Sequence, residues 1–310
     1  MDLPHLSRDG STLIFRSKLE SVNPAAIAFD PKTARIGAVT LLQHRTGILA
    51  PSDVSPDGKW LALVNVPDRH QDVFLMRPDG SGLSRLTDDD ARDWNPRFNG
   101  DGSQVTFFSN QTGKYDGWSI RLDGSGRTRL TDIEPGITFT MFAPDGKRLL
   151  ATVVSSGAFV GAGPWPMTPK TATAVKGLGL PGGTLAPAYW TRDGRLWSGY
   201  VVDSAGETRG YGTYDVATGR ARQLNNDSRG YDVAWMPGYR EMVYFTTRGE
   251  LVMQDVESLE RRKITGTLPF PPDQLLSIAA SPDGRTLYYG AHQIEANIWL
   301  VNRAAAPASR

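Results

Sequence analysis

The chain has 310 residues, with 34 Lys and Arg against 33 Asp and Glu, so its formal net charge is +1. A charge this close to zero provides no general attraction to nucleic acid or anionic lipid, and neither is expected as a partner. Cysteine is absent, which excludes disulfides, thiolate-bound zinc and thiol catalysis. No apolar run approaches the roughly 18 residues of a membrane span, so we expect a soluble monomer without direct membrane insertion.

The cell compartment is left open by the sequence. The first residues lack the basic start and apolar run of a signal peptide. A periplasmic or extracytoplasmic location is favoured only if an upstream segment has been removed from the natural protein.

A tetrapeptide ending in Asp-Gly recurs along the chain. Its copies are residues 7–10, 55–58, 99–102, 143–146, 191–194 and 281–284. The copies stand about 45 residues apart, and one double step predicts a degenerate seventh copy at 235–238. Pro at the second position, Asp at the third and Gly at the fourth are typical of a tight hairpin turn, so φ should be positive at Gly58, Gly102, Gly146 and Gly284.

Short strand patterns surround each turn. An apolar residue stands three positions before each turn Asp, from Leu6 in the first copy onwards, and should pack between repeats. An apolar run such as 60–64 follows the turn, then a third strand such as 72–77, a second turn at 78–82 and a fourth strand at 84–88. A period of about 45 residues with four antiparallel strands is typical of a propeller blade.

The sequence therefore predicts an all-β, seven-bladed β-propeller with four antiparallel strands per blade, forming one domain over residues 1–303. The predicted blades are 1–48, 49–91, 92–136, 137–184, 185–229, 230–273 and 274–303, and 304–310 is predicted to be a disordered tail. The seventh repeat ends near Asn302 without a fourth strand. Either the last blade has three strands, or the missing strand lies upstream of Met1 in the natural protein.

The repeat resembles the WD-like repeat of TolB-type β-propellers. The resemblance rests on the order Ser-Pro-Asp-Gly, apolar strand, Asp-Gly-Ser-Gly and Arg-Leu-Thr, which repeats two and three match closely. It implies the propeller fold and leaves function open, because one fold hosts many functions. The C-terminal ending resembles propellers attached to bacterial receptor-type kinases and winged-helix regulators, which implies a sensor role in a larger protein; whether such a domain precedes Met1 is left open.

Catalytic and metal-binding motifs are scarce. The nucleophile-elbow pattern Gly-x-Ser-x-Gly is absent, and Ser81 and Ser125 belong to the predicted turns. The four histidines lack metal-site spacing, and only His5 falls on a predicted innermost strand. Residues 88–90 with Asp93 form an acidic loop that could hold Ca²⁺, although a solvated loop is the simpler interpretation. No other cofactor is expected.

Aligned repeats indicate a candidate binding surface. The position four before the turn Asp, or before Gly238 in the degenerate copy, reads His5, Asp53, Arg97, Met141, Tyr189, Ala234 and Ala279. The position six before it reads Leu3, Pro51, Asn95, Phe139, Pro187, Asp232 and Ser277. Strand alternation should turn both positions away from the interblade core, and their unlike residue types suggest an individually shaped channel. The alternative is that they fill unlike gaps between blades.

Two function classes remain open on these residues. The favoured hypothesis is a non-catalytic binding or sensor propeller that takes a protein, peptide or small ligand at its channel mouth. The predicted mouth comprises His5, Asp53, Arg92, Asp93, Trp94, Asn95, Arg97, Tyr189, Tyr231 and Asp232. Arg, Trp and Tyr commonly anchor ligands. The alternative is a lyase or hydrolase in which Asp53, Asp93, Asp232 and His5 supply an acid and a base at the axis.

Overall fold

The computed structural model describes residues 4–8, 12–65, 71–153, 157–271 and 277–302, apart from the side chains at 16–18, 228–232 and 295–302. Regular structure in this part of the chain is entirely β-strand. No described segment forms an apolar helix of membrane-spanning length.

The strands are given in chain order. They begin with β1 (His5–Leu6), β2 (Thr12–Asp30), β3 (Arg35–Leu41), β4 (Gly47–Val54), β5 (Leu61–Asn65), β6 (Val73–Met76), β7 (Ser84–Arg85), β8 (Asp93–Phe98) and β9 (Gln104–Ser109). They continue with β10 (Asp116–Arg121), β11 (Thr128–Arg129), β12 (Phe139–Phe142), β13 (Arg148–Val153), β14 (Gly157–Ala162), β15 (Ala172–Ala174), β16 (Gly179–Leu180), β17 (Gly183–Trp190) and β18 (Leu196–Val202). They end with β19 (Thr208–Asp215), β20 (Arg220–Asn225), β21 (Ser228–Trp235), β22 (Glu241–Thr246), β23 (Leu251–Asp255), β24 (Arg261–Lys263), β25 (Ile278–Ala280) and β26 (Thr286–Asn302).

These strands form four-stranded antiparallel blades, as a propeller requires. Blade I contains β4–β7, blade II β8–β11, blade III β12–β15 and blade V β21–β24. Blade IV contains β17–β20, with β16 added beside β17. The closing blade is ordered β25-β26-β2-β3, so both ends of the chain contribute to it.

The predicted seventh blade is absent from this arrangement, and the seven-blade count is wrong. Segments 1–48 and 274–303 had been assigned to two blades, but β2 pairs with β26 from Thr12↔Asn302 to Ala28↔Thr286. The two ends therefore complete one blade, which also supplies the strands that the last repeat lacked. The described residues form six such blades, and six hydrophobic clusters lie between successive neighbours.

The first repeat copy forms a ribbon instead of an inner hairpin. Beyond the closing blade, residues 12–21 of β2 and 293–302 of β26 continue as a two-stranded ribbon, and β1 pairs with β2 at His5↔Ile14. Leu6, predicted to pack between repeats, is 64% exposed for this reason. In the complete blades the equivalent positions are buried, as at Val54, Phe98 and Trp190.

The recurring turn has the predicted conformation. Gly58, Gly102, Gly146 and Gly284 have φ between 66° and 74°, which confirms the prediction. In the copy at 55–58, the Gly58 N–H donates to the Ser55 carbonyl at 2.9 Å, and Asp57 accepts from the Ser55 hydroxyl at 2.7 Å. These bonds involve neighbours in sequence only, so the turn is determined locally.

Candidate functional site

The innermost strands are β4, β8, β12, β17, β21 and β25, and several carry a β-bulge just before the turn. On β4 the pairing changes from Pro51↔Leu63 to Asp53↔Ala62, so Ser52 is the extra residue. On β17 it changes from Pro187↔Gly199 to Tyr189↔Ser198 in the same way. A bulge reverses the faces on which the flanking residues lie.

The bulges correct part of the sequence argument. Unbroken alternation had placed the positions four and six before the turn Asp on one face of each strand. On β4 and β17 these positions lie on opposite faces, because Asp53 and Pro51 pair with adjacent residues of β5. On β8 Asn95 lies within the bulge itself, with a φ of 53°. The position four before the turn Asp still faces the axis on β4, β8 and β17, at Asp53, Arg97 and Tyr189. On β12 the same position is Met141, which packs in the hydrophobic core between blades III and IV.

A small cavity of about 50 Å³ lies on the axis at the end where the recurring hairpins meet. Its lining includes Asp53, Arg97, Tyr189, Ala234 and Ala279, all from the position four before the turn Asp or its equivalent. Arg192, Tyr239 and residues 235–237 and 280–282 complete it from the hairpins themselves. A cavity of this size holds a few waters or the end of one functional group.

Two guanidinium groups and one carboxylate converge in this cavity. Asp53 is 6% exposed and accepts hydrogen bonds from the backbone N–H groups of Val54 and Phe98, each at 2.9 Å. Arg97 is 4% exposed and donates through Nη1 to the Ser52 carbonyl. Its guanidinium carbon lies 5.8 Å from the ring centre of Tyr189, within cation–π range.

Arg192 reaches across the channel. It belongs to the β17–β18 hairpin of blade IV, which stands opposite blade I in the ring. Its Nη2 donates to the Val54 carbonyl of blade I and lies 3.5 Å from Asp53 Oδ1. The side chain is 20% exposed, so it is the more accessible of the two arginines. A single side chain thus joins opposite blades over the axis.

The titration behaviour of the cavity favours neutral phenols beside charged guanidiniums. Burial raises the pKa of Tyr189 and of Tyr239 above the ordinary value, so both hydroxyls stay protonated. Burial lowers the pKa of Arg192, but Asp53 together with Tyr189 and Tyr239 raises it, and the pKa lies above its ordinary value. The cavity therefore presents hydrogen-bond donors and positive charge.

The remaining predicted site residues are elsewhere or undescribed. His5 is exposed on β1, outside the channel, because the first repeat copy forms the ribbon. Arg92, Asp93, Trp94 and Asn95 lie at or near the start of β8, the end of the strand away from Arg97. Arg92 is exposed there, whereas Asp93 is fully buried and burial raises its pKa. The side chains of Tyr231 and Asp232 lie outside the described residues.

Carboxylates of the acidic loop considered for Ca²⁺ form ion pairs with arginine side chains. Asp88 pairs with Arg85 at 2.5 Å, and Asp89 pairs with Arg127. Within the described ranges, no three His, Asp or Glu side chains are grouped as a metal site would require. Asp88, Asp89 and Asp93 therefore have arginine partners within the protein.

Sequence reasoning missed Arg192 and Tyr239. Arg192 occupies the turn position that is Pro in copies 55–58, 143–146 and 281–284. A long cationic side chain in place of that proline was the available signal, because the turn points toward the axis. Tyr239 takes the place of the turn glycine in the degenerate copy: its N–H donates to the Met236 carbonyl at 3.0 Å and its φ is 52°, which local sequence did not indicate.

Comparison with known proteins agrees with this architecture. A family model described as the TolB beta propeller domain matches residues 3–162. The chain belongs to this family. TolB from Acinetobacter baumannii is similar to it with a TM-score of 0.58 and 17% identity, over 87% of this chain and 63% of that one. A TolB-like protein from Agrobacterium tumefaciens has a TM-score of 0.62 and 16% identity, over 88% and 99% of the two chains. At these identities the likeness concerns the fold.

Similarity to curated proteins extends to a peptidase. The TolB-family chain is 26% identical over 313 aligned residues to dipeptidyl-peptidase 5 of Porphyromonas gingivalis, covering 80% of this chain and 45% of the peptidase. It is 32% identical over 80 residues to an uncharacterized protein of Agrobacterium fabrum, covering 26% of this chain and 27% of that protein. The chain thus spans less than half the length of these relatives.

Proposed function

We propose that this TolB-family propeller is a non-catalytic binding or sensing module, and that it receives part of a protein, peptide or small ligand at the hairpin end of its channel. The observation that carries the proposal is the convergence of Arg97, Arg192, Asp53 and Tyr189 on one axial cavity. Arginine and tyrosine in a rigid, partly desolvated pocket are the residue types that dominate binding energy. In this proposal the module is a monomer and forms part of a larger bacterial receptor or regulator. It neither binds nucleic acid nor inserts into a membrane.

The cavity chemistry supports binding more than catalysis. Asp53 is engaged by two backbone N–H groups and Arg192, and the tyrosine hydroxyls stay protonated, so none of them is arranged as a general base. The described lining contains no histidine, and His5 of the alternative acid–base hypothesis lies on the ribbon. A lyase or hydrolase at the axis would need a base beside a substrate site.

The likeness to dipeptidyl-peptidase 5 favours a second candidate function. In that case the propeller would be the non-catalytic part of a larger peptidase and would receive peptides at the same cavity. Both candidates place peptide-sized ligands at the hairpin end, and they differ in whether a catalytic domain accompanies the propeller. The binding test below applies to both.

The test is selection of binding peptides from a random display library on the purified chain, followed by calorimetry. Arg192→Gln should lower the affinity for the selected peptides by about tenfold or more, because it removes a partly desolvated charge from the interface. The matched control is Arg285→Gln, which removes an exposed cation directly after the turn at 281–284 and outside the cavity lining.

Thermal denaturation of both variants completes the test. Arg192 is more accessible than the almost fully buried Arg97 and is therefore the better probe, and the melting curves show whether the fold tolerates its removal from beside Asp53. Peptides that bind the wild-type and Arg192→Gln chains equally would contradict the proposed site. Equal losses for Arg192→Gln and Arg285→Gln would indicate general electrostatics instead of the cavity.

A further inference from the structure

The described lining of the axial cavity carries more positive than negative charge. Among the described lining residues, Arg97 and Arg192 contribute two positive charges and Asp53 contributes one negative charge. Guanidinium groups stay protonated at all pH values of interest. A narrow recess lined by two guanidinium groups favours an anion, because low-dielectric walls strengthen the field inside it.

The ion pair between Asp53 and Arg192 is long. The Asp53 Oδ1 to Arg192 Nη2 distance is 3.5 Å, longer than the roughly 2.7–2.9 Å of a good charged hydrogen bond. The backbone N–H groups of Val54 and Phe98 hold both carboxylate oxygens in place at 2.9 Å. Asp53 is thus fixed by its own strand and by β8 of the neighbouring blade, and it cannot turn to form the parallel, two-bond pair that arginine prefers with a carboxylate.

We propose that the anion bound here is a single carboxylate presented by the partner, which pairs with the Arg192 guanidinium beside the tyrosine hydroxyls. This inference rests on the proposed function and names the chemical group that the site recognises. The cavity of about 50 Å³ accommodates one such group. A singly charged carboxylate is also repelled less by the neighbouring Asp53 carboxylate than a doubly charged phosphate would be.

The carboxylate has two sources in a polypeptide, namely its C-terminus and an Asp or Glu side chain. Three probes separate them: N-acetyl-Ala-Ala with a free C-terminus, the same dipeptide as its C-terminal amide, and N-acetyl-Asp-Ala amide. Inorganic phosphate is the fourth probe. Saturation-transfer NMR and calorimetry on the whole chain measure binding of each.

We expect the free acid, the Asp peptide or both to bind, and the neutral amide and phosphate to bind at least about tenfold more weakly. Arg192→Gln should abolish the preference for carboxylate, and Arg285→Gln should retain it. Arg192→Lys keeps the charge but lacks the planar fork, so it should retain only part of the affinity. Melting curves of each variant identify any that fail to fold.

Equal binding of the acid and the amide, tighter binding of phosphate, or an unchanged preference in a folded Arg192→Gln variant would overturn the inference. Failure to detect any carboxylate probe would overturn it as well. The proposed function fails separately. If library-selected peptides depend on Arg192 but bind through segments without a carboxylate, the binding site stands and the carboxylate inference falls; if none depends on Arg192, both fall.

Discussion

The recurring turns interlock around the channel mouth, and this contact can be measured with a matched pair of glycine substitutions. Gly284 and Gly146 occupy the same position of the turn, with φ of 68° and 66°. A Cβ added at Gly284 would lie 2.7 Å from Pro237 Cδ and 2.9 Å from Met236 Cε, both in the neighbouring blade V. At Gly146, among the described residues, it would meet nothing within 4 Å.

The two alanine variants therefore share one cost and differ in another. A side chain in the left-handed region costs about 1–2 kcal/mol at either position. At Gly284 the blades must also separate, because the Pro237 ring cannot rotate away as the Met236 terminus can, and overpacking of this kind adds about 1–3 kcal/mol. We expect Gly146→Ala to lower the free energy of unfolding by about 1–2 kcal/mol and Gly284→Ala by about 2–5 kcal/mol.

Urea denaturation followed by tryptophan fluorescence measures both variants under identical conditions. Circular dichroism at low urea checks that each variant retains the β structure of the parent. If the two variants lose the same free energy within about 0.5 kcal/mol, the contact between neighbouring turns contributes nothing and the interlocking argument is refuted. The same holds if Gly146→Ala is the more damaging substitution.

Two further predictions concern charged groups in the blades. Arg129→Ala should destabilise by about 3 kcal/mol in urea denaturation, because it leaves the fully buried Asp116 carboxylate without the guanidinium 2.7 Å away. Arg240→Ala is the control: its 2.6 Å pair with Asp255 is more exposed, so its removal should destabilise the chain clearly less than Arg129→Ala does. The Ser55 hydroxyl and the Lys59 N–H hold the pKa of Asp57 at about 2, below its ordinary value. As pH falls, the Asp57 carboxylate is therefore protonated in the unfolded chain before it is protonated in the folded chain. The stabilisation of the fold by Asp57 is full above about pH 4 and is lost toward pH 2. The melting temperature of Asp57→Asn should fall less over that range than that of the parent, and identical slopes would contradict the argument.

Local features of the chain were readable from the amino-acid sequence. The turn residues determine their own conformation through bonds within about five positions, and the glycine φ values follow from them. Because the same turn residues recur in the repeats, the four-stranded blade, the all-β class and the resemblance to TolB propellers could all be predicted. The unlike residues at the position four before the turn Asp also indicated Asp53, Arg97 and Tyr189, which the fold brings into one cavity.

Long-range features were decided only by the tertiary structure. The number of blades depends on whether β2 pairs with β26, some of whose partners lie almost the whole chain apart, and turn chemistry carries no information about that pairing. The bulges on the inner strands separated positions that simple alternation had joined, since one extra residue reverses every face beyond it. Arg192 entered the site because ring closure places blade IV opposite blade I, a relation that exists only once the ring has formed.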